Sequence, residues 1–211
     1  MIEVEETLQQ AGKRELPEGW RWVPLGDVCV IVIGRTPRRE ISAYWGGDLP
    51  WVSIADLNNA VITTTRERIT ELGAQESRSR LLKAGTLLFS FKLTIGKMAF
   101  AGMDLYTNEA IAGLLPKRAE ELDRNYLRFA LSSIDPGSGS SHAVKGKTLN
   151  QDSLNDLRIP FPPTAEQQRI AAMLDEQMAA VERTRRTLEE QLDAINALPA
   201  ALLRQAFNGE L

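Results

Sequence analysis

Residues Arg158–Ile170 read "RIPFPPTAEQQRI", and the change of character inside this stretch decides the fold. Pro160, Pro162 and Pro163 fix φ and remove three backbone donors, so the chain here is extended and ends whatever strand leads into it. Directly afterwards, Thr164 with Gln167 three positions later fits a capping box, with Pro163 just ahead of it. The stretch is a corner. It separates a region of mixed signals on its N-terminal side from a single long helix on its C-terminal side.

Downstream, Ile170, Leu174, Gln177, Val181, Thr184, Leu188, Gln191, Ile195, Leu198, Leu202 and Gln205 follow strict 4-3 spacing, and seven of the eleven are apolar. That is a coiled-coil seam with neutral polar interruptions, which can set register. From Thr164 to Ala197 such a helix would be roughly 50 Å long. One stripe of that length exceeds what a compact domain of this size can cover, so the seam calls for a partner helix. Pro199 is expected to kink the helix or to start a second one.

Upstream, "LPEGWRWVPLGDVCVIVIG" reads as a turn at Pro17–Gly19, an extended segment with Trp20 and Trp22 on one face, and a buried strand or short helix ending at Gly34. "DLPWVSIADL" carries a strand punctuated by Pro50 and Asp56. "KAGTLLFSFKLTIGKMAFAG" predicts two strands joined tightly at "KLTIG", and "TNEAIAGLLPK" a short apolar piece ending at Pro116. "ELDRNYLRFALSSI" has helical spacing, "DPGSGSSHAVKGK" is a glycine- and serine-rich loop, and "TLNQDSLNDLRIPFP" is a short helix delivering a final strand. The expected fold class is α+β: an N-terminal extension over 1–15, a mixed α/β domain over 16–163, and a long C-terminal coiled-coil helix over 164–211.

Composition narrows the function classes. The chain has 211 residues, 43% hydrophobic and 25% charged, ordinary for a soluble globular protein. Its longest nearly apolar run, "GDVCVIVIGRTP", is too short to span a bilayer and no secretory signal precedes it, so a cytoplasmic protein is expected, with no membrane partner. Cys29 is the single cysteine and His142 the single histidine, which excludes an internal disulfide and a thiolate zinc cluster. "KGKTL" lacks the Walker spacing, since Ser141 stands where its first glycine would be. No catalytic residues, metal site or cofactor of its own are expected. The net charge of −3 hides a division. Residues 16–163 carry a net +2, and between 35 and 98 ten bases face six acids, so the mixed domain can present a basic surface.

Five stretches in order carry a resemblance: "LPEGWRWVPLGDV", "GRTPRREISAYWGGDLPWVSIADL", "AGTLLFSFKLTIGKMAF", "IPFPPTAEQQRI" and "LLRQAFNGEL". Together, over about residues 16–211, the chain resembles the DNA-sequence specificity subunit of type I restriction-modification systems. The first stretch is similar to the start of that family's target recognition domain, and the last to the terminal signature of its helix. Two local departures are Arg35, where the family often has glycine, and "TNEA" in place of an Asn-Gln pair; both bear on which bases are read. Members usually carry two recognition domains and two long helices, each domain reading half of a split site, so this sequence resembles a half-subunit. The resemblance implies a non-catalytic subunit that binds double-stranded DNA and directs a methyltransferase subunit, which holds S-adenosylmethionine, and a restriction subunit. Two copies pairing their helices antiparallel would form a homodimer with a palindromic split target. A scaffold that pairs helices without reading DNA is the other reading.

Loops should carry the recognition. The candidates for DNA contact are Arg35, Thr36, Arg38 and Arg39 after the first apolar element, and Lys92, Thr94 and Lys97 around the Gly96 turn. Ser141, His142, Lys145 and Lys147 on the glycine-rich loop complete the set. Tyr44 and Trp45 read as core. Asn150 and Gln151 could read adenine or cap the next short helix. Glu166, Gln167 and Arg169 would cap the long helix or bind the methyltransferase. The candidate dimer interface is Ile170, Leu174, Val181, Leu188, Ile195, Leu198 and Leu202.

Overall fold

The computed structural model describes residues 16–58, 60–133 and 149–209; the N-terminal extension expected over 1–15 lies outside them. Arg21–Pro24 forms β1, a single turn of helix α1 (Leu25–Val28) follows, and Cys29–Ile33 forms β2. The β-branched run of β2 gives way at Gly34 to the basic segment. Next come β3 (Trp45–Val52), β4 (Val61–Ile62), β5 (Glu67–Ile69) and the short helix α2 (Glu71–Glu76). The expected tight pair is β6 (Leu87–Ser90) and β7 (Met98–Ala101), antiparallel. After β8 (Tyr106–Thr107) and β9 (Ile111–Pro116), Asp123 caps α3 (Arg124–Ser132) by accepting from the Tyr126 amide at 2.8 Å. Then α4 (Gln151–Asn155) delivers β10 (Arg158–Phe161), and α5 spans Thr164–Phe207.

The central sheet has the order β2-β9-β6-β7-β4, and β5-β3-β8 forms a second, three-stranded sheet. Ile62, Leu88, Ala99, Ala101 and Ile111 from the first pack with Val52, Leu57, Leu82 and Leu105 to make the main core. Trp51, Ile69 and Ala74 make a smaller one. Removing these apolar surfaces from water is the main stabilising contribution, at about 25 cal/mol per Å².

The proline corner is the second partner of a two-stranded sheet. β10 runs antiparallel to β1, with Trp22 opposite Pro160. A strand with one neighbour has an open side, so the missing Pro160 donor breaks no ladder. The two ends of the mixed domain are thereby tied together. Tyr126 donates to the Pro160 carbonyl at 2.9 Å, and burial pushes its phenol up to about 12.

The capping box expected at Thr164 and Gln167 does not form. Thr164 is already helical and donates its hydroxyl to the Glu120 carbonyl at 3.0 Å. The Pro163 carbonyl accepts from the amides of Glu166 and Gln167. Gln167 is fully buried and its amide serves three backbone groups. Oε1 accepts from the Asp123 amide, and Nε2 donates to the Glu121 and Pro162 carbonyls, each at 2.9 Å. The side chain therefore locks the corner to the start of α3. Gln167→Leu keeps the volume but strands one donor and two acceptors, at about 1 kcal/mol or more each. Chemical denaturation should show a loss of about 3 kcal/mol, and an unchanged midpoint would refute the lock.

The chain divides into two compact units between Gln168 and Arg169. Within the second, the helix continues without interruption through Pro199 to Phe207, so Pro199 does not start a second helix. Proline removes one hydrogen bond, and the strong helix formers Ala197, Leu198, Ala200, Ala201 and Leu202 around it sustain the rest. With 44 residues, α5 is roughly 66 Å long. Among the described residues no helix is long and apolar enough to cross a membrane.

Candidate nucleic-acid interface

Two basic segments leave the same end of the central sheet. β2 and β6 both run antiparallel to β9 on its two sides, so their C-terminal ends flank the beginning of β9. The Gly34 amide donates to Ile111 O at 3.1 Å, and the Phe91 amide to Ala110 O at 3.0 Å. Residues 34–39, the turn 91–97 and the turn before β9 thus form one loop cluster.

The first segment is fixed through its backbone. The Arg35 amide donates to Thr107 O at 2.8 Å, and the indole of the buried Trp51 donates to Arg35 O at 3.1 Å. Trp45 does the same for Arg38 O at 3.1 Å. The two indoles meet edge to face, 5.0 Å apart. Trp51 is buried in the core, whereas Tyr44 and Trp45, expected to be core, are only half-buried. With their carbonyls held, the side chains of Arg35 and Arg38 stand in solvent, and among the described residues neither makes a hydrogen bond or ion pair.

The other two candidates in this segment are engaged. The Arg39 guanidinium lies 3.8 Å from the Trp45 ring centroid and forms a two-pronged pair with Glu67, one prong at 3.1 Å. Such a stacked, forked arrangement suits arginine and not lysine. Thr36 donates its hydroxyl to Glu109. Glu67 and Glu109 lie 28 and 73 residues from their partners, and no sequence spacing signals either contact.

In the second segment Lys97 and Thr94 are exposed, and Lys92 is half-buried with its ammonium 5.3 Å from the Phe91 ring. No ion pair holds either lysine among the described residues. Gly96 has φ +92° and open space around it, so it supplies the left-handed step of the turn. Ile95 and Gly96 also line a cavity of about 200 Å³ with Phe89, Leu131, Ser132, Leu149 and Leu157.

Ser141, His142, Lys145 and Lys147 lie outside the described residues. Asn150 takes the capping role rather than a free one, its Oδ1 accepting from the Ser153 amide at 2.7 Å. Cys29 is buried and burial raises its thiol to about 12, which leaves it inert as a nucleophile. Of the seam residues, Ile170 and Leu174 are half-buried, whereas Val181, Leu188, Ile195, Leu198 and Leu202 are each more than half exposed.

Residues 17–194 match the family described as "Type I restriction modification DNA specificity domain". The chain belongs to this family. It is 31% identical over 169 residues to the type I restriction enzyme MjaIX specificity subunit of Methanocaldococcus jannaschii, covering 76% of this chain and 38% of that one. With the EcoKI specificity subunit of Escherichia coli K12 it shares 26% identity, covering 95% and 45%. The crystal structure of the HsdS subunit from Thermoanaerobacter tengcongensis superposes with a TM-score of 0.69 at 28% identity, covering all of this chain and 52% of that one. A chain from a study of complex assembly and conformational transition in the type I R-M system gives 0.76 at 28%, covering 100% and 53%. The chain thus spans about half the length of these relatives, and its α+β fold with a long C-terminal helix superposes in full on the two solved structures.

Proposed function

We propose that this chain reads one half of a bipartite duplex DNA site and acts as a non-catalytic subunit, directing partner methyltransferase and restriction subunits. S-adenosylmethionine belongs to the methyltransferase in this reading. The observation that carries it is the loop cluster of a specificity-family domain in which Arg35, Arg38, Lys92 and Lys97 have no anionic partner among the described residues. Cations left unpaired on braced loops suit phosphates or guanine edges.

The helix suits a second role. Its uncovered apolar seam fits the α5 of a second copy, and isologous pairing would give two-fold symmetry and a palindromic split target. The helix length would then set the spacing of the two half-sites.

The test begins by mapping methylated sites in cells with and without the gene, which yields the target. Binding of that duplex by the chain with its methyltransferase subunit is then measured against salt. Replacing Arg35, Arg38, Lys92 and Lys97 with alanine should flatten the log–log slope by about 3 to 4, close to one unit per lost phosphate contact. Equal affinity for all sequences at every salt concentration would leave only the scaffold reading.

A further inference from the structure

Leu93, at the tip of the turn between β6 and β7, has a conformation that packing does not explain. Its φ is +62°, in the left-handed region where a leucine Cβ crowds the following carbonyl and a glycine sits without strain. Its side chain is 89% exposed, the highest value for a large apolar residue among those described, so no burial offsets the strain.

The turn beneath it is braced. Ser90 is fully buried; its hydroxyl donates to Thr94 O at 2.5 Å and accepts from the Lys97 amide at 2.9 Å. The Gly96 amide donates to Ser90 O, and the Ser90 amide to Lys97 O, both at 2.9 Å. A strained, exposed apolar side chain on a rigid turn is arranged to be presented to something. Lys92 and Lys97 flank it, and the turn belongs to the same loop cluster as Arg35 and Arg38.

We infer that Leu93 is a specificity-determining residue that packs on the C5-methyl group of a thymine in the half-site. This rests on the proposal that the domain reads duplex DNA. Between phosphates held by lysines, the major groove offers an apolar knob one matching feature, the thymine methyl. The polar edges of the other bases would lose hydration to leucine with no hydrogen bond in return. The side chain adds a discrimination that the surrounding cations cannot supply.

The experiment replaces each thymine of the mapped half-site in turn by deoxyuridine. Affinity is measured for the intact chain with its methyltransferase subunit, in wild-type, Leu93→Gly and Leu93→Asn forms. One thymine-to-uracil change should weaken the wild type about fourfold, the value of one buried methyl group. The same change should leave both variants unaffected, and both should unfold at or above the wild-type temperature because glycine and asparagine accept the left-handed turn. A half-site without thymine, insensitivity of the wild type at every position, or variants that lose affinity equally for thymine and uracil duplexes would overturn the inference. If the wild type does not prefer the unmodified site over unrelated duplex, the DNA-reading proposal fails with it, and that control separates the two failures.

Discussion

In the homodimer proposed above, replacing Leu188 and Ile195 together with aspartate is expected to leave monomers. Both side chains lie on one stripe of α5, seven residues apart, and are 59% and 60% exposed in the single chain. Covering each one in a two-helix seam is worth about 1 to 1.5 kcal/mol, roughly half of a full side-chain burial. A two-fold dimer presents each residue twice, so four such contributions are lost, about 4 to 6 kcal/mol. Aspartate adds the penalty of a charge facing an apolar partner. At 1.4 kcal/mol per tenfold, dissociation should strengthen by about a thousandfold or more. Light scattering over a concentration series reads the change directly. Arg183 lies away from the seam, so Arg183→Asp should leave the mass unaltered and controls for the weaker helix propensity of aspartate. A wild-type chain that stays monomeric, or a double variant that dimerises as before, would remove this seam from consideration. Dimerisation seen only on mixing with a different specificity-family chain would instead point to a heterologous pair.

The parts of the molecule legible in sequence are those governed by local spacing. The 4-3 pattern of α5, the "KLTIG" connection and the Asn150 cap each depend on residues within a turn or two, where periodicity and turn chemistry act. The second helix that Pro199 could have started did not appear, because the good helix formers on both sides of it carry the helix past the missing hydrogen bond. The capping box failed for a different reason. Gln167 has the right spacing, but burial offered it two backbone groups more than forty positions away, at Glu121 and Asp123, and these with the nearby Pro162 carbonyl outweigh one hydrogen bond at the cap. The candidate site follows the same division. Its basic residues could be picked from the sequence, yet the pairing of Arg39 with Glu67 and of Thr36 with Glu109 depends on the β3–β5 register and on the β2–β9 alignment. The strain at Leu93 was equally silent, because "KLTIG" already contains a glycine that satisfies the expected turn.

Gly34→Ala should be strongly destabilising, and it tests whether the loop cluster is positioned by close backbone approach. Gly34 needs no left-handed conformation; it needs the absence of a Cβ. An added methyl would meet Thr107 Oγ1 and the Asn108 carbonyl at 2.2 Å and the Thr107 carbonyl at 2.3 Å. Two of these are backbone atoms just before β9, which cannot rotate away. Overpacking against movable side chains costs about 1 to 3 kcal/mol, and here the chain itself must shift, so the loss should be about 3 kcal/mol or more. Two comparisons isolate the cause. Gly46 has φ +77° and nothing within 4 Å of its ideal Cβ, so Gly46→Ala should cost only the conformational strain, about 1 kcal/mol. Adding Thr107→Ala to Gly34→Ala removes the one side-chain collision but leaves both carbonyls, so stability should not return. Full recovery in that double variant would show that the side chain alone made the contact tight. Failure to recover means that the close approach of the β2 end to the turn before β9 fixes Arg35 through the hydrogen bond its amide donates to the Thr107 carbonyl, and the arginines stand where the backbone packing puts them.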